Sequence, residues 1–142
     1  ITNLIDDKHL PVYGDGKYVR DWLHVEDHCS AIATVIKKGT IGETYLVGGT
    51  LGKELNNLQI ATILLKSLGK PKSYLDFVKD RPGHDRRDAI DWSKLKQLGW
   101  KPKYDFETWI EKTVNWYKEN EWWWRPLKVK SEEFYNELSI KK

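Results

Sequence analysis

At 142 residues the chain has the length of one domain with a modest hydrophobic core. Hydrophobic residues make up 39% and charged residues 32%, which excludes a disordered tail, and no apolar run approaches the roughly 20 residues that span a bilayer. Lys and Arg total 24 against 21 acids, a balance of +3 too small and too scattered to make nucleic acid the partner, so any anion binding must be local.

The sequence opens on Ile1 and contains no Met, so it reads as a piece of a longer protein or a processed product. No signal-peptide pattern stands at the front, and the cytoplasm is the expected compartment. Cys29 is the single cysteine, so no intrachain disulfide is expected, and a small helix residue is its simplest reading.

Along the chain, Pro11-Val12-Tyr13 predicts a short strand closed by Gly14-Asp15-Gly16, because glycine reaches positive φ without steric cost. From Glu26 to Lys38 the apolar positions Ala31, Ile32, Val35 and Ile36 predict a helix with one buried face, stopped by Lys37-Lys38-Gly39. Glu43 to Val47 predicts a strand ending in Gly48-Gly49. A second helix follows, with Leu58, Ala61, Leu65 and Leu68 on its buried face and Gly69-Lys70-Pro71 as its stop. A strand from Leu75 to Val78 leads into the charged loop Asp80 to Arg87. Asp91 caps a short helix through Leu98, and Asp105 caps a longer one carrying Phe106, Trp109, Ile110, Thr113, Val114 and Tyr117. The tail from Trp122 onward gives no clear pattern. Alternating helices and strands make the class α/β, with too few strands for a self-contained doubly wound sheet, so the sheet reads as incomplete.

No complete catalytic set is present. Gly48-Gly49-Thr50-Leu51-Gly52 lacks the dinucleotide spacing, and there is no phosphate-binding P-loop, nucleophile elbow or paired-cysteine motif. His24 and His28, four apart, invite a metal reading but lack a clear third ligand, and local hydrogen bonding explains them better. The charged loop is more informative. Arg81, His84, Arg86 and Arg87 gather donors on a turn stiffened by Pro82-Gly83, as a phosphate-bearing ligand requires. A network of these arginines with Asp80, Asp85 and Asp88 explains the same residues without a ligand, and both readings stand. Arg20 beside Asp21 and Trp22, and Tyr13 on its strand, are each either structural or ligand-facing.

Six segments together resemble the dTDP-glucose 4,6-dehydratases, in order along nearly the whole chain. They are Pro11-Val12-Tyr13-Gly14-Asp15-Gly16, Val19-Arg20-Asp21-Trp22-Leu23, Val25-Glu26-Asp27-His28, Gly42-Glu43-Thr44-Tyr45, the run Asp80 to Arg87, and Leu98-Gly99-Trp100-Lys101-Pro102. The Asp80–Arg87 run is the sharpest of these. The second is shared across the extended short-chain dehydrogenase/reductases. The resemblance implies a Rossmann domain that binds NAD and a smaller carboxyl-terminal region that grips a nucleotide diphosphate sugar. Its reaction oxidises C4, removes water across C5 and C6, and returns the hydride.

On that resemblance, residues 1–142 form one carboxyl-terminal substrate-binding region of an extended Rossmann-type enzyme. Pro11 and Tyr13 contact the nucleotide, Arg20 and Arg81 the diphosphate or nucleotide, and His84 and Asn57 make further substrate contacts, with Asn56 competing for the last role. The catalytic Tyr-x-x-x-Lys and Asp-Glu pairs would lie in segments preceding Ile1, so no catalytic residue, resident NAD or metal is expected in this piece. A related UDP-sugar epimerase or decarboxylase is the nearest alternative, and an interaction module built on the Trp-rich end is another, eight tryptophans being present. Faces of the first long helix and of the Glu43–Val47 strand are expected to lie bare and to promote self-association.

Overall fold

The computed structural model of the chain describes residues 1–49 and 54–140, the side chains of 134–140 excepted. Six helices are described: α1 Thr2–Ile5, α2 Val25–Lys38, α3 Asn57–Ser67, α4 Ser93–Gln97, α5 Phe106–Glu119 and α6 Glu121–Ile140. The four strands are β1 Leu10–Tyr13, β2 Val19–Arg20, β3 Leu55–Asn56 and β4 Leu75–Val78. The expected α/β class holds.

The strands form two pairs. β1 lies parallel to β4, Leu10 opposite Leu75 and Tyr13 opposite Val78, and β2 lies antiparallel to β3. The β1–β4 ladder runs on into the glycine turn, where the Gly14 N–H donates to the Val78 carbonyl at 3.0 Å. Gly14 and Gly16 adopt φ of 56° and 69°, as the turn requires. β2 also bridges the charged loop, its Val19 N–H donating to the Arg86 carbonyl at 3.0 Å.

Local chemistry accounts for the helix starts. His24 caps α2 by accepting the Glu26 N–H at 3.2 Å, and Asp105 caps α5 by accepting the Thr108 N–H at 3.0 Å. Asn56 and Gln59 form a reciprocal capping box on α3. Asp91 accepts the Ser93 N–H at 2.9 Å, so it supplies the expected capping oxygen although Trp92 occupies the formal cap position of α4.

Among the described residues two cores form. Leu4, Ile60, Leu64, Leu65 and Val114 join α1, α3 and α5, while Ala31, Trp92, Leu95 and Trp100 join α2 to α4 and the turn after it. Asp27 is fully buried between α2 and the 103–104 segment, accepting the Lys103 and Tyr104 N–H groups at 2.9 and 3.0 Å. Its charge is thereby matched by backbone donors.

Three expectations are corrected. Residues 43–47 form no strand; the Glu43 N–H closes a turn on the Thr40 carbonyl at 3.2 Å, among the described residues no strand pairs with the segment, and extended propensity alone does not make a ladder. On α2, Ala31 is buried but Ile32 and Ile36 are exposed, Ile36 at 79%, which corrects the buried face read from the period and agrees with the expectation that a face of this helix lies bare. On α3 Ala61 and Leu65 are buried as expected and Leu68 packs against the same core, but Ile60 and Leu64 join them in place of Leu58, because α1 and α5 approach from that side. Among the described residues, no helix is long and apolar enough to cross a membrane.

Candidate nucleotide-binding site

Parallel strands place the loops that follow them side by side at their carboxyl ends, where α/β folds hold their ligands. Here β1 delivers Tyr13 and the Gly14–Gly16 turn, and β4 delivers the loop from Asp80 to Arg87. Pro11 and Tyr13, two apart on β1, share the exposed side of the strand, with Val12 buried between them.

Tyr13, Arg81 and His84 meet directly. The Arg81 guanidinium lies 5.0 Å over the Tyr13 ring and bonds His84 Nε2 at 2.7 Å. His84 meets Tyr13 edge-on at 6.4 Å and stacks on Tyr18 at 3.8 Å. Its Nδ1 bonds Asp80 Oδ1 at 2.8 Å, and the Tyr18 hydroxyl donates to Asp80 Oδ2. The His84 side chain is only 5% exposed. Its bond to Asp80 holds that carboxyl below its ordinary range, with smaller help from the Arg81 backbone N–H.

The other arginines are committed to carboxylates. Arg86 forms a bidentate pair with Asp15 at 2.7 and 2.9 Å and lies over the Tyr18 ring; its guanidinium is the main reason the Asp15 carboxyl sits far below its ordinary value. Arg87 pairs with Glu54, whose carboxyl is lowered by that bond. Arg20 pairs with Asp88 at 3.0 Å and reaches the Asp85 carbonyl at 2.9 Å, which ties β2 to the loop. Among the described residues, Arg81 is the loop arginine with no carboxylate in ion-pair range.

Carboxylates thus hold Arg20, Arg86 and Arg87, but only Asp88 comes from the expected set of Asp80, Asp85 and Asp88; Asp15 and Glu54 supply the other two partners. Asn57 opens α3 beside the cluster, its N–H donating to the Tyr18 carbonyl at 2.9 Å. Asn56, its rival, spends its side chain on the capping box. Tyr18, Asp15 and Glu54 escaped the sequence reading, since their partners lie far away along the chain. Proximity of Tyr18 to Arg20 was the one available signal.

His24, half of the rejected metal pattern, packs its ring on Tyr104 and Trp109 at 4.6 and 5.3 Å. Among the described residues no three potential ligands gather as for a metal ion. A depression of about 230 Å³ lined by Ser67, Glu111, Val114 and Asn115 lies between α3 and α5 and includes no residue of the charged loop.

Residues 1–113 match the family model described as GDP-mannose 4,6 dehydratase. The chain belongs to the GDP-mannose 4,6 dehydratase family. Within this family its similarity is to dTDP-glucose 4,6-dehydratases, as the motifs implied. That of Actinoplanes is 48% identical over 125 residues, covering 87% of this chain and 38% of the relative. The solved dTDP-glucose 4,6-dehydratase of Streptomyces venezuelae, with NAD and TYD bound, matches at 47% identity and TM-score 0.83, covering 89% of this chain and 39% of that one. The UDP-glucose 4-epimerase of Thermotoga maritima, solved with UDP-glucose, matches at 28% identity and TM-score 0.75, covering 82% of this chain and 37% of that one. This dehydratase-family chain therefore spans about two fifths of the relatives it matches.

Proposed function

We propose that the chain is the substrate-gripping part of a dTDP-glucose 4,6-dehydratase, holding the nucleotide diphosphate while the rest of such an enzyme carries NAD and the catalytic groups. The observation that carries this reading is Arg81, poised between Tyr13 and His84 at the carboxyl ends of β1 and β4 with no carboxylate in ion-pair range among the described residues. A guanidinium fork suits diphosphate oxygens, and the Tyr13 ring offers a base or sugar a flat apolar face. Asn57 and Pro11 extend the same grip, and Arg20, paired with Asp88, joins it on the motif resemblance. The ligands of the solved relatives, NAD with TYD in one and UDP-glucose in another, support it. The reaction assigned to the whole enzyme is oxidation, dehydration and hydride return, and its compartment is the cytoplasm.

As part of the same reading, the bare apolar side chains of α2 and of residues 41–46 make the isolated chain self-associate. Calorimetric titration with dTDP, and with dTDP-glucose, tests the grip. Arg81→Ala is expected to weaken dTDP about tenfold or more, the worth of a lost charge-assisted bond. Undiminished binding by that variant would remove Arg81 from the site.

A further inference from the structure

We propose that Asp80 and Tyr18 are positioning residues that fix the tautomer of His84 and, through it, the direction of Arg81. The inference rests on the nucleotide-gripping reading for its purpose, while its geometry stands apart from any ligand.

Proton bookkeeping leads to it. A guanidinium has donors only, so the 2.7 Å bond between Arg81 and His84 Nε2 requires Nε2 to be bare. In a neutral ring the proton then sits on Nδ1, where Asp80 Oδ1 receives it at 2.8 Å. The Asp80 carboxylate is itself pinned. Its Oδ1 also accepts the Arg81 backbone N–H at 2.9 Å, and its Oδ2 takes the Tyr18 hydroxyl. Tyr18 acts twice, because the ring whose hydroxyl holds Asp80 is also the surface on which His84 stacks, 14° from coplanar.

Space enforces the same arrangement. A Cβ on Gly14 would lie 3.1 Å from the Asp80 carboxylate and 3.2 Å from the Tyr18 hydroxyl, so glycine there admits the pair. The groups facing His84 are Tyr13 from β1, Tyr18 from the segment before β2, and Asp80 and Arg81 from its own loop; Arg86 adds its charge across the Tyr18 ring. The chain of command is Tyr18 to Asp80 to His84 to Arg81. It holds the guanidinium at one edge, and among the described residues its other donors meet no hydrogen-bond acceptor, which leaves them to phosphate oxygens.

The test begins with the ¹⁵N-labelled chain and long-range proton–nitrogen correlation of its histidines near pH 8, the His84 signals being identified by their loss in His84→Gln. The expected result is one tautomer protonated at Nδ1. A proton on Nε2 overturns the proposal, whether or not the chain binds nucleotide. In Asp80→Ala the Nε2–H form should appear; persistence of a pure Nδ1–H form in a folded variant also overturns it.

The second arm titrates dTDP. Asp80→Ala is expected to weaken binding about fivefold to tenfold, and Tyr18→Phe, which keeps the ring stack and loses only the hydroxyl, about threefold. Both losses should vanish in an Arg81→Ala background, because the two residues act through that arginine. Additive losses there would mean a merely structural role and would sink the proposal. Should Asp80→Ala fail to fold, Tyr18→Phe and its Arg81→Ala double variant decide this arm. A wild-type chain that shows the Nδ1–H tautomer yet ignores dTDP would refute the functional reading and leave the positioning intact.

Discussion

Asp27 shows how much can hang on one side chain. It is fully buried, and its carboxylate is the acceptor for two backbone N–H groups of the 103–104 segment, which joins the α2 core to α5. Asp27→Ala orphans both donors inside the fold and is expected to cost about 3 kcal/mol in urea unfolding, with Asp27→Asn, which keeps one carbonyl acceptor, losing less. Gly16 makes a comparable demand of backbone. Its φ of 69° and a Cβ position 2.7 Å from Val12 Cγ1 leave no room for alanine, so Gly16→Ala should cost more than ~1 kcal/mol of stability, read as a lowered melting temperature. The glycine turn and the unusual character of the 80–87 loop were legible in the sequence, because positive-φ glycines and clustered guanidiniums are local signals. Which arginine would be left without a carboxylate was not legible. That depends on Asp15 and Glu54, brought to the loop by the fold rather than by spacing.

Among the elements, α1, β2, β3 and α6 escaped the sequence reading, and α6 is the longest of them. Pro126 lies inside it and three consecutive tryptophans blur its periodicity, both arguments against an uninterrupted helix on sequence grounds. Tertiary contacts override them: Trp124 is buried and donates to the Tyr117 carbonyl at 2.8 Å, while Arg125 and Lys128 pair with Asp6 at 2.8 and 2.7 Å. Trp122 and Trp123 stay exposed, so the Trp-rich end is part core and part surface. The Asp6 carboxyl is held below its ordinary value, chiefly by Lys128. A depressed carboxylate stabilises the fold fully above its unfolded value near 4 and loses that contribution as the pH falls below it. Asp6→Asn is therefore expected to melt about 3–5 °C lower than the parent at pH 7, a ~1 kcal/mol effect, with the gap closing in acid. Thermal melts followed by circular dichroism from pH 7 downward check this; a gap independent of pH would show that the ion pairs contribute nothing. The Glu43–Val47 segment errs in the opposite direction. Its β-favouring residues were readable, but a strand needs a neighbour, and local sequence does not say whether one is there.

For the whole molecule, the division into two small cores leaves substantial apolar surface outside both. Val25, Ile32 and Ile36 on α2 stand exposed with Ile41 and Leu46 beyond it, Ile41 completely so. The helix was legible from its period, and so was the prospect that its outer face would lie bare. If this face drives association, Ile32→Lys with Ile36→Lys should shift the chain toward monomer in sedimentation velocity at micromolar concentration, without lowering its melting temperature. An unchanged distribution would place the contact elsewhere. The parallel pairing of Leu10–Tyr13 with Leu75–Val78 carries one more consequence, for the order of events during folding. Adjacent hairpin strands find each other quickly, whereas this pair closes only after the intervening β2, α2, β3 and α3 have been threaded between its members. Tyr13 and Arg81 sit at the two ends of that closure. Their contact should therefore appear in the slowest kinetic phase of refolding, so that the Tyr13–Arg81–His84 cluster is acquired late and together with the native topology, never by a partly formed chain.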